Sequence, residues 1–138
     1  MDIKDIILTE KALNAIDSGV WIDDLIEAPG LRLLVTGLRS KEAQKAQEQK
    51  QAHLRLKNRG KPLTDAQLAK AMKEVLAEVV LKDWDGLYDN GQPVPYSKEL
   101  ATKLLTSRAG EGLASLVLAA AQKVDDQAND FAEEVKKN

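Results

Sequence analysis

Between Leu63 and Trp84 the apolar residues Leu68, Ala71, Met72, Val75, Leu76, Val79, Val80 and Trp84 recur in steps of three and four. A helix gathers such positions on one face, with Lys70, Lys73, Glu74, Glu78 and Lys82 on the other. Thr64 followed three residues later by Gln67 is a capping box, and Leu63 with Leu68 supplies a hydrophobic staple. The pattern therefore predicts a helix from Thr64 to Trp84, stopped by Asp85-Gly86 because glycine accepts the left-handed C′ conformation. Asp89-Asn90-Gly91 predicts a tight turn of the primed type. Pro93 and Pro95 keep the next residues extended, and Ser97 caps a following helix.

The same reading applied to the rest of the chain gives four further elements. Residues 1–16 begin with an apolar run, Ile6 to Leu8, and pass after Thr9 into about two helical turns through Ala12, Leu13 and Ile16. Val20 to Ile22 and Leu31 to Thr36 suit a pleated surface, and Ala28-Pro29-Gly30 turns the chain between them, which predicts a β-hairpin. A lone hairpin is marginal in water, so it must pack on helices or pair with another chain. Lys98 to Thr106 predicts a short helix with Leu100, Leu104 and Leu105 inward, and Ser107 to Gly112 a loop. The last helix is predicted from Leu113 to Val135; its first half is apolar enough to be buried. Its second half thins to Ala128, Phe131 and Val135 among acids, a stripe suited to a partner. The fold class is mainly α with some β: four to five helices and a small N-terminal antiparallel hairpin, in a single domain spanning 1–138.

Lys41 to Arg59 breaks this picture, because it is helical in content but polar all round. Its two leucines, Leu54 and Leu56, are two apart and share no stripe. Such a segment bridges solvent or rests on side-chain pairs, so residues 41–61 are predicted as a mobile or projecting helical arm. Charge sharpens the contrast. Residues 39–61 carry eight basic side chains against two acidic ones, whereas the 138-residue chain as a whole has a net charge of −2.

Few kinds of chemistry fit. With no cysteine and one histidine there is no disulfide framework, thiolate or histidine-based metal set. His53 lies in the polar arm with no base and orienting group beside it in sequence. The acids of Asp83 to Gly91 do not fall at the first, third and fifth positions of a calcium loop with glycine at the sixth. Gly110 and Gly112 lack the Lys-Ser/Thr of a phosphate-binding loop. No run approaches the ~20 apolar residues of a membrane span, and the N-terminus does not read as a signal peptide. The basic arm could neutralise phosphates, but its cations fall around the helix and no aromatic residues accompany them for stacking. No cofactor is expected, and nucleic acid is a disfavoured partner.

The order Val79 to Trp84, Gly86, Asp89 to Gly91, Pro93-Val94-Pro95, Tyr96, Ser97 and Glu99-Leu100 resembles tail assembly chaperones of long-tailed, siphovirus-type bacteriophages. Gly19-Val20, Pro29-Gly30, Val35-Thr36-Gly37 and Ser40 are similar to the hairpin and helix start of that family. The resemblance implies a non-enzymatic homo-oligomer in the cytoplasm of an infected bacterium, absent from the mature virion. It implies that the protein coats the tape measure protein and helps bring tail tube subunits to it. It also implies a longer form made by ribosomal frameshifting, since Lys136-Lys137-Asn138 can be encoded by an A-run ending in AAC. The candidates for partner or self-association contacts are Trp21, Leu33 and Val35 on the hairpin, Trp84 and Tyr96 in the shared pattern, and Val124, Phe131 and Val135 on the last helix. For Trp84 and Trp21, core packing and a partner hot spot both stand open. Two other functions remain in view: a small nucleic-acid-associated regulator acting through residues 39–61, and a structural tail or head-completion component.

Overall fold

The computed structural model describes residues 1–131. In chain order the elements are α1 (Glu10–Ser18), β1 (Val20–Ile22), β2 (Arg32–Val35), α2 (Lys41–Lys57), α3 (Asp65–Val75), β3 (Leu81–Asp85), β4 (Tyr88–Asp89), β5 (Gln92–Pro93), α4 (Lys98–Leu105) and α5 (Glu111–Asp126). The fold is mixed α+β, dominated by helices, with the hairpin β1–β2 near its N-terminus. Four helices start where a hydroxyl side chain accepts from a backbone N–H three residues on: Thr9, Ser40, Thr64 and Ser97. The box between Thr64 and Gln67 is closed in both directions. Ahead of the apolar run Ile6 to Leu8, Ile3–Asp5 form a 3₁₀ turn capped by Asp2.

The predicted helix from Thr64 to Trp84 is corrected by the structure. It ends as α3 at Val75, passes through a π-helical turn, Leu76–Val80, and emerges directly as β3. β3 joins the hairpin in an antiparallel sheet of order β1-β2-β3, with Leu33 opposite Trp84 and Val35 opposite Leu81. The misreading has a physical source. The register slips between Leu34, which faces Asp83, and Val35, which faces Leu81, so Lys82 is the extra residue of a bulge. A bulge lets Leu81 and Trp84, three apart, both turn inward, and their spacing then imitates a helical stripe. β3 supplies one of the additional pairings that a bare hairpin needs.

The core lies between the inner face of this sheet and the helices. Ile22, Leu33, Val35, Leu81 and Trp84 meet Ile16, Leu76, Val80, Leu105, Val117 and Val124. Four of the predicted partner contacts are thereby corrected to core residues: Leu33, Val35 and Val124 are fully buried and Trp84 nearly so. Strand alternation explains Leu33 and Val35, which point to the covered face. Val124 sits on the side of α5 that carries Val117, Ala120 and Ala121, all buried. Trp21 is on the other face of the sheet, 36% exposed, with the Arg32 guanidinium 4.7 Å above its ring.

The segment that carries the tail-chaperone resemblance forms a strap over Trp84. Asn90 and Gly91 both have positive φ, 50° and 79°, the type I′ signature predicted for this turn between β4 and β5. Val94 donates its N–H to the Leu87 carbonyl at 2.8 Å, and its own carbonyl accepts from Trp84 Nε1 at 2.7 Å. Tyr96 packs edge-on against Trp84 with ring centroids 5.1 Å apart. Burial pushes the Tyr96 hydroxyl above its ordinary pKa, helped by the Asp83 carboxylate. Gly86 has the expected left-handed φ, 81°, but it closes a strand rather than a helix. A Cβ there would run into the Gly30 carbonyl, so the loop after β1 closes on β3 only because position 86 is glycine.

After α4 the predicted loop contains a 3₁₀ turn, Arg108–Gly110, capped by Ser107. α5 is interrupted at Gln127, and helical structure resumes from Ala128 to Phe131. Ala128 is buried and Phe131 packs partly against the core. Val135 lies outside the described residues.

Candidate partner-binding groove between α2 and α3

Residues 41–61 do not project alone. α2 runs from a buried foot at Ala43 and lies antiparallel to α3, so the two form a helical hairpin. Ion pairs mark the register: Glu42 reaches Lys82 on β3 at 3.4 Å, and Lys50 Nζ is 3.0 Å from both Glu74 on α3 and Glu78 in the π-helical turn that follows it. Farther out, the side-chain amides of Asn58 and Gln67 exchange two hydrogen bonds at 2.8 and 2.9 Å. Between Ala46 and Met72 no side chain belongs to the core cluster, so the outer half of the hairpin extends beyond the body.

A groove of about 650 Å³ runs between the two helices. Ala46, Leu54 and Ala71 give it an apolar floor; His53, Lys57 and Lys70 stand near its outer end and Glu74 and Glu78 near its inner end. Burial works to lower the Lys50 pKa, but the hydrogen bonds it donates to Glu74 and Glu78 prevail and hold the ammonium above its ordinary value. A raised lysine pKa stabilises the fold below the ordinary value, and that contribution is lost as pH rises through the folded one. The pair is therefore intact throughout the neutral range. Two of the eight basic residues of 39–61 are thus paired within the chain, Lys50 here and Arg39 with Asp125.

This arrangement suits docking. Alanines on the floor let an incoming helix approach closely, and the walls offer both charge signs. Among the described residues, no group of three or more His, Cys, Asp or Glu is placed to hold a metal ion. No helix among them is long and apolar enough to cross a membrane. Of the predicted contact residues, Trp21, Tyr96 and Phe131 keep some exposure, but none lies in this groove. Taken as an isolated helix, residues 41–59 give no sign of a groove. The short link Asn58 to Thr64 between two helical stretches was the available signal, since short links make antiparallel neighbours.

Gln67 ties the hairpin at two places, because its Oε1 accepts both from Thr64 N at 3.0 Å and from Asn58 Nδ2. Gln67→Ala is expected to lower stability by about 1–2 kcal/mol, the sum of a capping and a side-chain hydrogen bond. Amide exchange should speed up across residues 55–68 and stay unchanged in the sheet; uniform protection in the variant would contradict the tie.

No curated protein and no solved structure matches the chain. A family model described as YdaY prophage protein matches residues 38–138, from the residue before Arg39 through α2, α3, β3, the strap and both last helices. That span is well over half of the sequence, and the chain belongs to the YdaY prophage protein family.

Proposed function

We propose that this prophage protein is a non-enzymatic tail assembly chaperone whose α2–α3 groove holds a helix of the tape measure protein. The observation that carries the reading is the groove itself: an apolar floor of Ala46, Leu54 and Ala71 between two helices, walled by both charge signs. A tape measure protein is long and largely helical, and helix-in-groove docking covers the apolar stripe that would make such a helix aggregate. Phage origin and the ordered pattern from Val79 to Leu100 support the same reading. Many weakly bound copies along one helix hold it through avidity rather than through a single tight site. In this scheme the copies associate with each other, help recruit tail tube subunits, act in the host cytoplasm and leave before the particle is complete.

The experiment is co-expression with the tape measure protein of the same prophage. The chaperone should move that protein into the soluble fraction and co-elute with it. Leu54→Glu places a charge in mid-groove at a position outside the core cluster, so the variant should fold normally by circular dichroism yet lose most of the solubilising effect. An unaltered tape measure protein, soluble or not with either version, would sink the reading.

A further inference from the structure

The two ends of the molecule carry opposite charge around exposed apolar side chains. At the outer end of the hairpin, Leu56 is 80% exposed. Residues 51–70 there carry five basic side chains (Arg55, Lys57, Arg59, Lys61 and Lys70) against one acidic, Asp65. At the other end, the N-terminal segment leaves Ile3, Ile6 and Ile7 exposed at 64%, 65% and 50%. It is pinned to the C-terminal end of the helical body, where Asn129 Nδ2 donates to the Ile7 carbonyl at 3.3 Å and Thr9 N donates to Asn129 Oδ1 at 3.3 Å. Between them opens a cleft of about 490 Å³, lined by Ile6, Ile7, Asp5 and Asp126, with Arg39 already engaged by Asp125. Asp5 and Asp126 put two carboxylates on its rim, and Lys4 stands exposed on the same N-terminal segment.

We infer that the basic hairpin tip of one copy seats in the acid-rimmed N-terminal cleft of a second copy, with Leu56 as the apolar knob. The cleft includes Arg39, just before the start of α2, and the tip lies past its far end, about 25 Å away along a 17-residue helix. A single molecule cannot bring the two together. Like-on-like contacts are disfavoured, because tip on tip sets basic against basic and cleft on cleft sets acid against acid. The contact is therefore tip into cleft; two copies close it reciprocally as an antiparallel pair, or repetition builds a ring or an open filament. It gives a geometry to the self-association in the proposed function and rests on that reading. The test uses the isolated chain, so its failure is separable from failure to bind the tape measure protein.

The test is light scattering behind size exclusion over a dilution series. Wild-type protein should exceed the 15.1 kDa of one chain as concentration rises. The association should weaken about tenfold between roughly 0.1 and 1 M salt, as the screening length falls from about 10 to 3 Å. Leu56→Asp spoils the tip and Ile6→Lys spoils the cleft; both positions are exposed, so both variants should fold and run as single chains. Mixed in equal amounts they should form pairs, because each retains the half that the other lacks, and the pairs should not grow further. A wild-type chain that stays single, or a mixture that stays unpaired, overturns the inference. So does saturable binding of a labelled DNA duplex to a chain that remains single, which would give the tip to nucleic acid.

Discussion

Trp84→Ala is expected to lower the unfolding free energy by about 3–5 kcal/mol, the usual range for emptying a large aromatic site in a core. The ring is 5% exposed and is held from three sides. Leu33 faces it across β2–β3, Tyr96 meets it edge-on, and the strap accepts its N–H at the Val94 carbonyl. Removing the indole leaves that carbonyl without its donor and frees the strap that closes the sheet edge. Trp84→Phe keeps most of the apolar contact but loses the hydrogen bond, and should cost about 1–2 kcal/mol. Trp21→Ala, on the solvent face of the same sheet, should stay within about 1 kcal/mol, since it gives up one stacked guanidinium. Urea unfolding of the three variants decides the order; equal losses at Trp84 and Trp21 would mean that the strap does not organise the core.

The order of these losses also locates what the shared pattern of residues 79–100 reports. Its Trp, Gly, Pro-Val-Pro and Tyr are occupied with each other: glycine lets two loops touch, the primed turn aims β5 back, and Val94 and Tyr96 seal the tryptophan. The pattern is a device for fixing β3 against the body. The resemblance it carries is first a resemblance of fold, and partner binding has to come from other surfaces.

Much of the fold was legible because local chemistry and tertiary structure agree. Thr64 and Ser97 cap where they read as caps, and Asn90-Gly91 turns as it reads. Both hairpin strands fall within the stretches that read as strands, Val20 to Ile22 and Leu31 to Thr36. β3 was illegible because a bulge at Lys82 reproduces helical spacing, and only pairing with β2 reveals it. The groove was illegible for a different reason. Each of its helices looks inadequate alone, α2 too polar and the outer part of α3 too exposed, and their complementarity lies in contacts between residues 24 and 28 apart, Lys50 with Glu74 and Glu78. Apolarity points to core residues first: Leu33, Val35, Trp84 and Val124 are core, whereas Leu56, Ile3, Ile6 and Ile7 are exposed.

Asp125→Ala should cost about 2–4 kcal/mol, because two backbone donors lose their acceptor at once and each buried unpaired donor costs about 1–3 kcal/mol. Asp125 reaches from the end of α5 into the bend between β2 and α2. Its Oδ2 accepts from Leu38 N at 3.0 Å and its Oδ1 from Arg39 N at 3.2 Å. Arg39 closes the link by donating from Nη2 to the Asp125 carbonyl at 2.9 Å. Gly37 completes the fit, since a Cβ there would strike the carboxylate. Asp125→Asn can satisfy only one of the two donors and turns an NH₂ toward the other, so it should lose about half as much. Burial pushes the Asp125 carboxyl above its ordinary 3.8, and the Arg39 and Leu38 N–H groups only partly oppose this. A raised carboxyl pKa means that the folded state binds more protons there, so the Asp125 contribution to stability falls as pH rises through the window just above 3.8. Asn does not titrate. Its deficit relative to wild type should therefore be largest in acid, below the folded pKa, and narrow once pH has passed that window. A deficit that instead grows from acid to neutral pH would show that the N–H groups and Arg39 outweigh burial, with the carboxyl held below its ordinary value.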